Sequence, residues 1–177
     1  MDFSILYAIQ NLRCDALDSI ILFITNIAGS YGQIWPIIGA VLCVFKKTRK
    51  CGAAMLLSYG LVFVIGQYGL KDLIARARPC HIDETVELLI KRPSSYSCPS
   101  THSAWAFAAA VSILLNHKKW GICALIAALV IAFSRLYLFV HFPSDVLIGA
   151  VLGALCAFAA VKLIDISIRK LANRPKA

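Results

Sequence analysis

Acidic side chains are scarce in this chain: nine Asp and Glu stand against eighteen Lys and Arg in 177 residues, a formal charge of +9. The apolar runs lack the 3.6-residue alternation of surface helices, which excludes an ordinary soluble helical domain. Among the seven cysteines there is no CxxC pair and no Cys/His ligand spacing, which excludes the usual zinc-binding patterns. Internal repeats, low-complexity tracts and flexible linkers are missing too, so nothing divides the chain. The start lacks the basic region of a cleavable signal: Asp2 stands there, and Arg13, Asp15 and Asp18 interrupt the apolar stretch. Residues 1–30 are therefore expected to remain in the mature protein.

What is present is mostly apolar. Hydrophobic residues make up 60% of the chain, and the mean hydropathy is +0.77. This composition predicts an all-α integral membrane protein, with residues 1–177 as one membrane-embedded domain. Membrane helices are expected at about 31–45 (short), 52–70, 103–116, 120–140 and 144–164. Residues 3–29 read either as an amphipathic interfacial helix followed by a partly inserted one, or as containing a sixth full span. Five to six transmembrane helices follow.

The positive charge could suggest nucleic acid, but the basic residues sit mostly in short segments between apolar runs, so no nucleic-acid partner is expected. Lys46, Lys47, Arg49 and Lys50 lie in one connection, Lys118 and Lys119 in another, and Lys162, Arg169, Lys170, Arg174 and Lys176 at the C-terminal end. If the helices alternate, these cations share one side, which the positive-inside rule makes cytoplasmic. The polar loop from Lys71 to Thr101 and the turn around His141 then face the extracytoplasmic side of a cell membrane.

Three clusters converge on that face. "KDLIARARP" (71–79) places Lys71 and Arg78 seven residues apart; if the helix runs on to Arg78, both share one face and Pro79 ends it. "CPSTH" (98–102) opens the next helix, where free N–H groups near Ser100, Thr101 and His102 would point at a ligand with the helix dipole behind them. "SRLYLFVHFPSD" (134–145) brings Arg135, His141 and Asp145 to the same edge, with Pro143 as a first-turn residue. An ionised residue deep in a bilayer costs at least about 3 kcal/mol, so such groups have partners or a function. Three cations, two histidines, an aspartate and a helix N-terminus make an anion site suited to a phosphate. One imidazole can attack phosphorus while the other protonates the departing oxygen. His141 with Asp145 has the spacing for a nucleophile and its orienting carboxylate, leaving His102 as general acid.

At these residues the sequence resembles the type 2 phosphatidic acid phosphatase (PAP2) superfamily, whose signature is K-x6-R-P, then P-S-G-H, then S-R-x5-H-x3-D. Lys71, Arg78 and Pro79 match the first element, Pro99, Ser100 and His102 the second, and Ser134, Arg135, His141 and Asp145 the third. The resemblance implies a helical bundle with a PAP2/haloperoxidase-like core and a phosphohistidine formed on His141. It further implies phosphate binding by Lys71, Arg78 and Arg135, and no metal or other cofactor. The substrate it implies is a membrane lipid phosphate held in a phospholipid bilayer, with a polyprenyl diphosphate such as undecaprenyl diphosphate favoured. Phosphatidic acid and phosphatidylglycerol phosphate remain open. Thr101 stands where the family usually has glycine; its branched side chain resists positive φ, while its hydroxyl could add a ligand.

Several residues carry plainer expectations. Ser134 either bonds the phosphate or caps locally. Arg76, Lys91 and Arg92 read as solvated loop charges, and Trp35, Trp105 and Trp120 as interfacial anchors. Cys80 and Cys98 flank the outer loop and either pair as a disulfide or stay as free thiols. A phosphate-binding transporter without hydrolysis would need a polar path, yet the spans at 52–70 and 146–161 are almost wholly apolar. A catalytically silent scaffold has only Thr101 as its hint.

Overall fold

The computed structural model describes residues 2–29 and 32–173, and these form helices and the loops between them with no strand. Arg174 and Lys176 of the expected cytoplasmic charges, and Tyr31 of the first expected span, lie outside the described residues. Helices α1 (Asp2–Gln10) and α2 (Asp15–Ala28) come first, followed by α3 (Ile34–Val44) and α4 (Arg49–Val62). The α4 helix continues as a π-helical stretch, Phe63–Leu70, and returns to α-helical winding in α5 (Lys71–Ile74). After a break come α6 (Pro79–Ile82), α7 (Thr101–Asn116), α8 (Lys118–Tyr137) and α9 (Pro143–Ala172).

Among the described residues, three helical stretches are long and apolar enough to cross a membrane: Arg49–Ile82, which is interrupted between Ile74 and Pro79, Lys118–Tyr137 and Pro143–Ala172. The other expected spans are shorter helices, α3 of 11 residues and α7 of 16. Residues 3–29 form two separate helices, and the 14 residues of α2 rise only about 21 Å at 1.5 Å each, short of a bilayer core of about 30 Å.

Helix α7 runs through the middle and packs on α4, α8 and α9. Small residues let the backbones approach, as membrane helices require when no hydrophobic effect drives them together. A Cβ added at Gly153 would lie 2.1 Å from the Ala104 carbonyl oxygen, and one at Gly149 would lie 2.4 Å from that of Ser100. The α7–α9 seam is thus backbone against backbone, and it fixes the start of α7 beside the start of α9. At the opposite end Lys50 pairs with Asp165 at 2.6 Å, tying the start of α4 to the last turns of α9.

Two of the expected interfacial tryptophans belong to the core instead. Trp105 is 1% and Trp35 8% exposed, whereas Trp120 is 73% exposed. Trp105 stacks on Tyr59 with ring centroids 5.3 Å apart, because it lies on the central helix rather than at a membrane edge. Helix α1 buries Leu6 and Ile9 in a second cluster, with Tyr137, Phe139 and Phe142 of the α8–α9 turn.

Candidate active site

The expected continuation of the helix to Arg78 does not occur. Ala75 adopts a left-handed φ of +48° and closes α5. Arg78 is then extended, and Pro79 opens α6 at its first position rather than ending a helix. Lys71 and Arg78 meet because the chain turns back, not because they share a helical face.

Both point into one cavity of about 480 Å³, lined also by Arg135, Thr101, His102 and His141. Helices α4–α5, α7 and α8 and the α8–α9 turn each contribute, so six residues of the three sequence clusters surround a single space. Lys71, Arg78, Arg135 and His141 are all at most 4% exposed, so their charge and polarity are met by the protein or by what enters the cavity. The loop after α6 supplies much of that. Lys71 Nζ donates to the Tyr96 carbonyl at 3.1 Å. Arg78 donates to the Ser95 carbonyl at 2.7 Å, to Ser95 Oγ at 3.0 Å and to the Val140 carbonyl at 2.8 Å. Arg135 donates to Thr25 Oγ1 at 2.6 Å. All these acceptors are neutral, and among the described residues no carboxylate lines the cavity. Lys71, Arg78, Lys91 and Arg135 therefore leave an excess of positive charge there, as an anion site requires.

The tautomer of His141 follows from its neighbours. Arg78 Nη1 lies 3.1 Å from Nε2, and a guanidinium only donates, so Nε2 carries the lone pair and Nδ1 the proton. Burial, reinforced by the charges of Arg78 and Lys71, drives the His141 pKa well below the usual histidine value. The ring is accordingly neutral at pH 7, with a lone pair beside a cation.

The link from His141 to Asp145 is indirect. Nδ1 and Oδ2 are 3.8 Å apart, beyond a hydrogen bond. Ser97 stands between them: its hydroxyl donates to Asp145 Oδ2 at 2.5 Å and its oxygen lies 3.4 Å from His141 Nδ1. Asp145 Oδ2 also accepts the Phe142 N–H at 2.9 Å, closing the first turn of α9. Ser97 was not singled out by sequence; its place one residue before Cys98-Pro99 was the available signal. Ser95, Thr25 and Gln67 were missed for the same reason, as neutral side chains carry little signal until the fold places them at the cavity.

His102 Nε2 lies 3.0 Å from the Gly29 carbonyl, which can only accept, so Nε2 holds a proton and Nδ1 is the nitrogen free to exchange one. Ser100 departs from expectation. Its N–H donates to the Asp145 carbonyl at 3.0 Å and its Oγ bonds Ser103 Oγ at 3.0 Å. It joins α7 to α9 and does not line the cavity. Thr101 lines the cavity from the first turn of α7, and among the described residues only Ala75 and Phe139 of the non-glycines have positive φ. The position makes no demand that only glycine meets. Ser134 donates to the Ile131 carbonyl at 2.6 Å and accepts from Arg135 Nη2 at 2.9 Å, so it caps locally and steadies the arginine.

Arg76 is not a solvated loop charge. It donates to Asp145 Oδ1 and to Ser144 Oγ, each at 2.7 Å, and to Asp2 Oδ2 at 3.1 Å. Lys91 lines the cavity, while Arg92 pairs with Glu84 at 2.9 Å. Cys80 and Cys98 are both free, buried thiols, and burial followed by the Asp145 carboxylate pushes Cys98 up to about 11.

Residues 48–169 match the family model described as the PAP2 superfamily. An undecaprenyl-diphosphatase of Sulfolobus acidocaldarius is 33% identical over 148 residues, 83% of this chain and 70% of that protein. The crystal structure of a transmembrane PAP2-type phosphatidylglycerolphosphate phosphatase from Bacillus subtilis superposes with a TM-score of 0.75 at 33% identity, covering 94% of this chain and 85% of that one. Aquifex aeolicus LpxE superposes with a TM-score of 0.72 at 28% identity, covering 91% and 94%.

Proposed function

The chain belongs to the PAP2 superfamily and is a membrane phosphatase of that type, and on that premise we propose that it hydrolyses a polyprenyl diphosphate through a phosphohistidine on His141. The observation that carries the reading is the neutral His141 whose Nε2 lone pair lies beside Arg78, in a cavity with excess positive charge. The phosphoryl group sits among Lys71, Arg78 and Arg135, which stabilise the charge on its oxygens. His141 Nε2 attacks phosphorus, the bond to the bridging oxygen breaks, and that oxygen takes the Nδ1 proton of His102, whose pKa burial and the Arg135 charge hold low until the phosphate anion enters beside it and favours the doubly protonated ring. Ser97 Oγ, itself bonded to Asp145, faces the Nδ1–H as the ring becomes cationic. Water then attacks the phosphorus, His102 takes a proton from it, the bond from phosphorus to His141 Nε2 breaks, and inorganic phosphate leaves.

Two observations favour a diphosphate. Four cationic side chains line the cavity, more than a monoester dianion needs. The Sulfolobus acidocaldarius relative named above is an undecaprenyl-diphosphatase. Phosphatidylglycerol phosphate is the second reading, favoured by the 0.75 TM-score to a phosphatase named for it. The active site faces the extracytoplasmic side of the cell membrane, since the Lys/Arg clusters of the α3–α4 and α7–α8 connections and of the end of α9 lie at the other end.

Phosphate release from detergent-solubilised prenyl diphosphate, phosphatidic acid and phosphatidylglycerol phosphate, each in EDTA, tests both levels. His141→Ala is expected to abolish release from every substrate, and activity retained by that variant refutes the phosphohistidine. A parent kcat/KM for either phospholipid above that for the diphosphate refutes the substrate.

A further inference from the structure

The Asp145 carboxylate is fully buried, and it faces a neutral imidazole across Ser97 rather than a charged partner. A buried carboxylate without a cation is strongly disfavoured. The guanidinium that answers it is Arg76, whose Nη1 lies 2.7 Å from Oδ1. The two carboxylate oxygens thus have separate partners. Oδ1 takes the arginine, while Oδ2 takes Ser97 and the Phe142 N–H. Together they fix the rotation of the carboxylate about its last bond, and with it the direction in which Ser97 meets His141.

Arg76 is itself held at three further points. Ser144 Oγ accepts from Nη1 at 2.7 Å, and Asp2 Oδ2 accepts from Nη2 at 3.1 Å. Ser144 Oγ also donates to Asp2 Oδ2 at 2.7 Å. The guanidinium carbon lies 4.0 Å over the centre of the Phe142 ring, a cation–π contact. The Arg76 side chain is one-third exposed, so solvent screens part of its charge, but its bond to Asp145 ends on a fully buried oxygen. Arg76 does not line the cavity.

We propose that Arg76 is a positioning residue for catalysis, acting through Asp145 and Ser97 on His141, and that Asp2 of α1 anchors it. The N-terminal helix thereby joins the catalytic assembly. This rests on the phosphohistidine reading, in which the orientation of His141 limits the rate. A residue of this kind acts on kcat and leaves KM alone, because the cations that hold the substrate are untouched. Loss of an outer partner that orients a reacting imidazole costs about 10- to 100-fold.

The experiment compares kcat and KM of the parent, H141A, R76Q, R76K and D2A on a prenyl diphosphate in detergent, with inorganic phosphate as competitive inhibitor to report an intact cavity. R76Q is expected to lose about 10- to 100-fold in kcat, with KM and phosphate inhibition within about threefold of the parent. R76K, which keeps the charge but not the fork, is expected to recover part of that loss, and D2A to lower kcat more mildly. The proposal is overturned if R76Q keeps a kcat within threefold of the parent, if its loss lies in KM, or if R76K is no better than R76Q. Should R76Q fail to give folded protein, lowered kcat at constant KM in R76K and D2A supports the proposal, and parent-like kcat in both overturns it. H141A separates the two levels: activity in H141A refutes the phosphohistidine, whereas an inactive H141A beside a parent-like R76Q refutes only the role of Arg76.

Discussion

Replacing Ser97 with alanine tests whether His141, the proposed nucleophile, depends on a bridge rather than on direct contact with Asp145. The substitution removes the donor 2.5 Å from Asp145 Oδ2 and the oxygen 3.4 Å from His141 Nδ1. It spares the bond from the Ser97 N–H to the Arg76 carbonyl at 2.8 Å, so the loop keeps its path. A hydrogen bond to a charged group contributes about 1.5–3 kcal/mol, and about 1.4 kcal/mol is tenfold in rate, which brackets the loss at roughly 10- to 150-fold. Two facts pull it toward the lower end. Asp145 keeps Arg76 at 2.7 Å and the Phe142 N–H at 2.9 Å, so the carboxylate is not stripped of partners. The His141–Asp145 gap of 3.8 Å can also close in part once the hydroxyl is gone. The expected outcome is about a 10- to 30-fold fall in kcat at nearly constant KM, because Ser97 does not line the cavity. Steady-state phosphate release measured across a range of lipid phosphate concentrations reads both constants. A kcat within threefold of the parent, or a loss confined to KM, would show that His141 is oriented without Ser97.

The α7–α9 seam predicts that Gly153→Ala destabilises the bundle by about 1–3 kcal/mol, since the new Cβ would sit 2.1 Å from the Ala104 carbonyl oxygen; a detergent melt unchanged from the parent would contradict that contact. The depressed pKa of His141 carries a signed consequence for stability. The unfolded chain takes up a proton near the ordinary value of about 6.5 while the folded ring stays neutral, so the unfolded state binds more protons. Stability is then fully present above about pH 6.5 and falls as pH drops below it, which thermal unfolding in detergent at pH 8 and pH 5.5, with H141Q as reference, is expected to show as a larger acid-side loss in the parent. Peptide mapping of unreduced protein is expected to find Cys80 and Cys98 as thiols, as both are free in the fold; a linked peptide would refute this.

Much of the chemistry is already written along the chain. Buried cations and imidazoles between apolar runs need partners, and their spacing in "KDLIARARP", "CPSTH" and "SRLYLFVHFPSD" points to the proposed anion site whatever the fold. The membrane class follows from composition, because 60% hydrophobic residues in unpatterned runs suit lipid rather than water. Local reading also told apart the ends of helices where prolines mark a start, as Pro143 does for α9.

Tertiary structure decided what depends on contacts between distant segments. No pattern near residue 76 distinguishes an arginine bonded to Asp145 from one in solvent, since 69 residues separate the pair. Ser97 carries no charge and acquires its place only where the loop crosses the α8–α9 turn. Ser100, which the helix start marks as a ligand, is taken up instead by the Asp145 carbonyl where α9 closes on α7 through Gly149. Trp105 looks interfacial by position along its helix, yet that helix is the central one. The sequence alone determined which ionisable groups must find an anion, because their desolvation is local to each residue. Which neutral groups and which second arginine hold them in working order was decided by packing, because hydrogen bonds form between atoms that only the fold brings within about 3 Å.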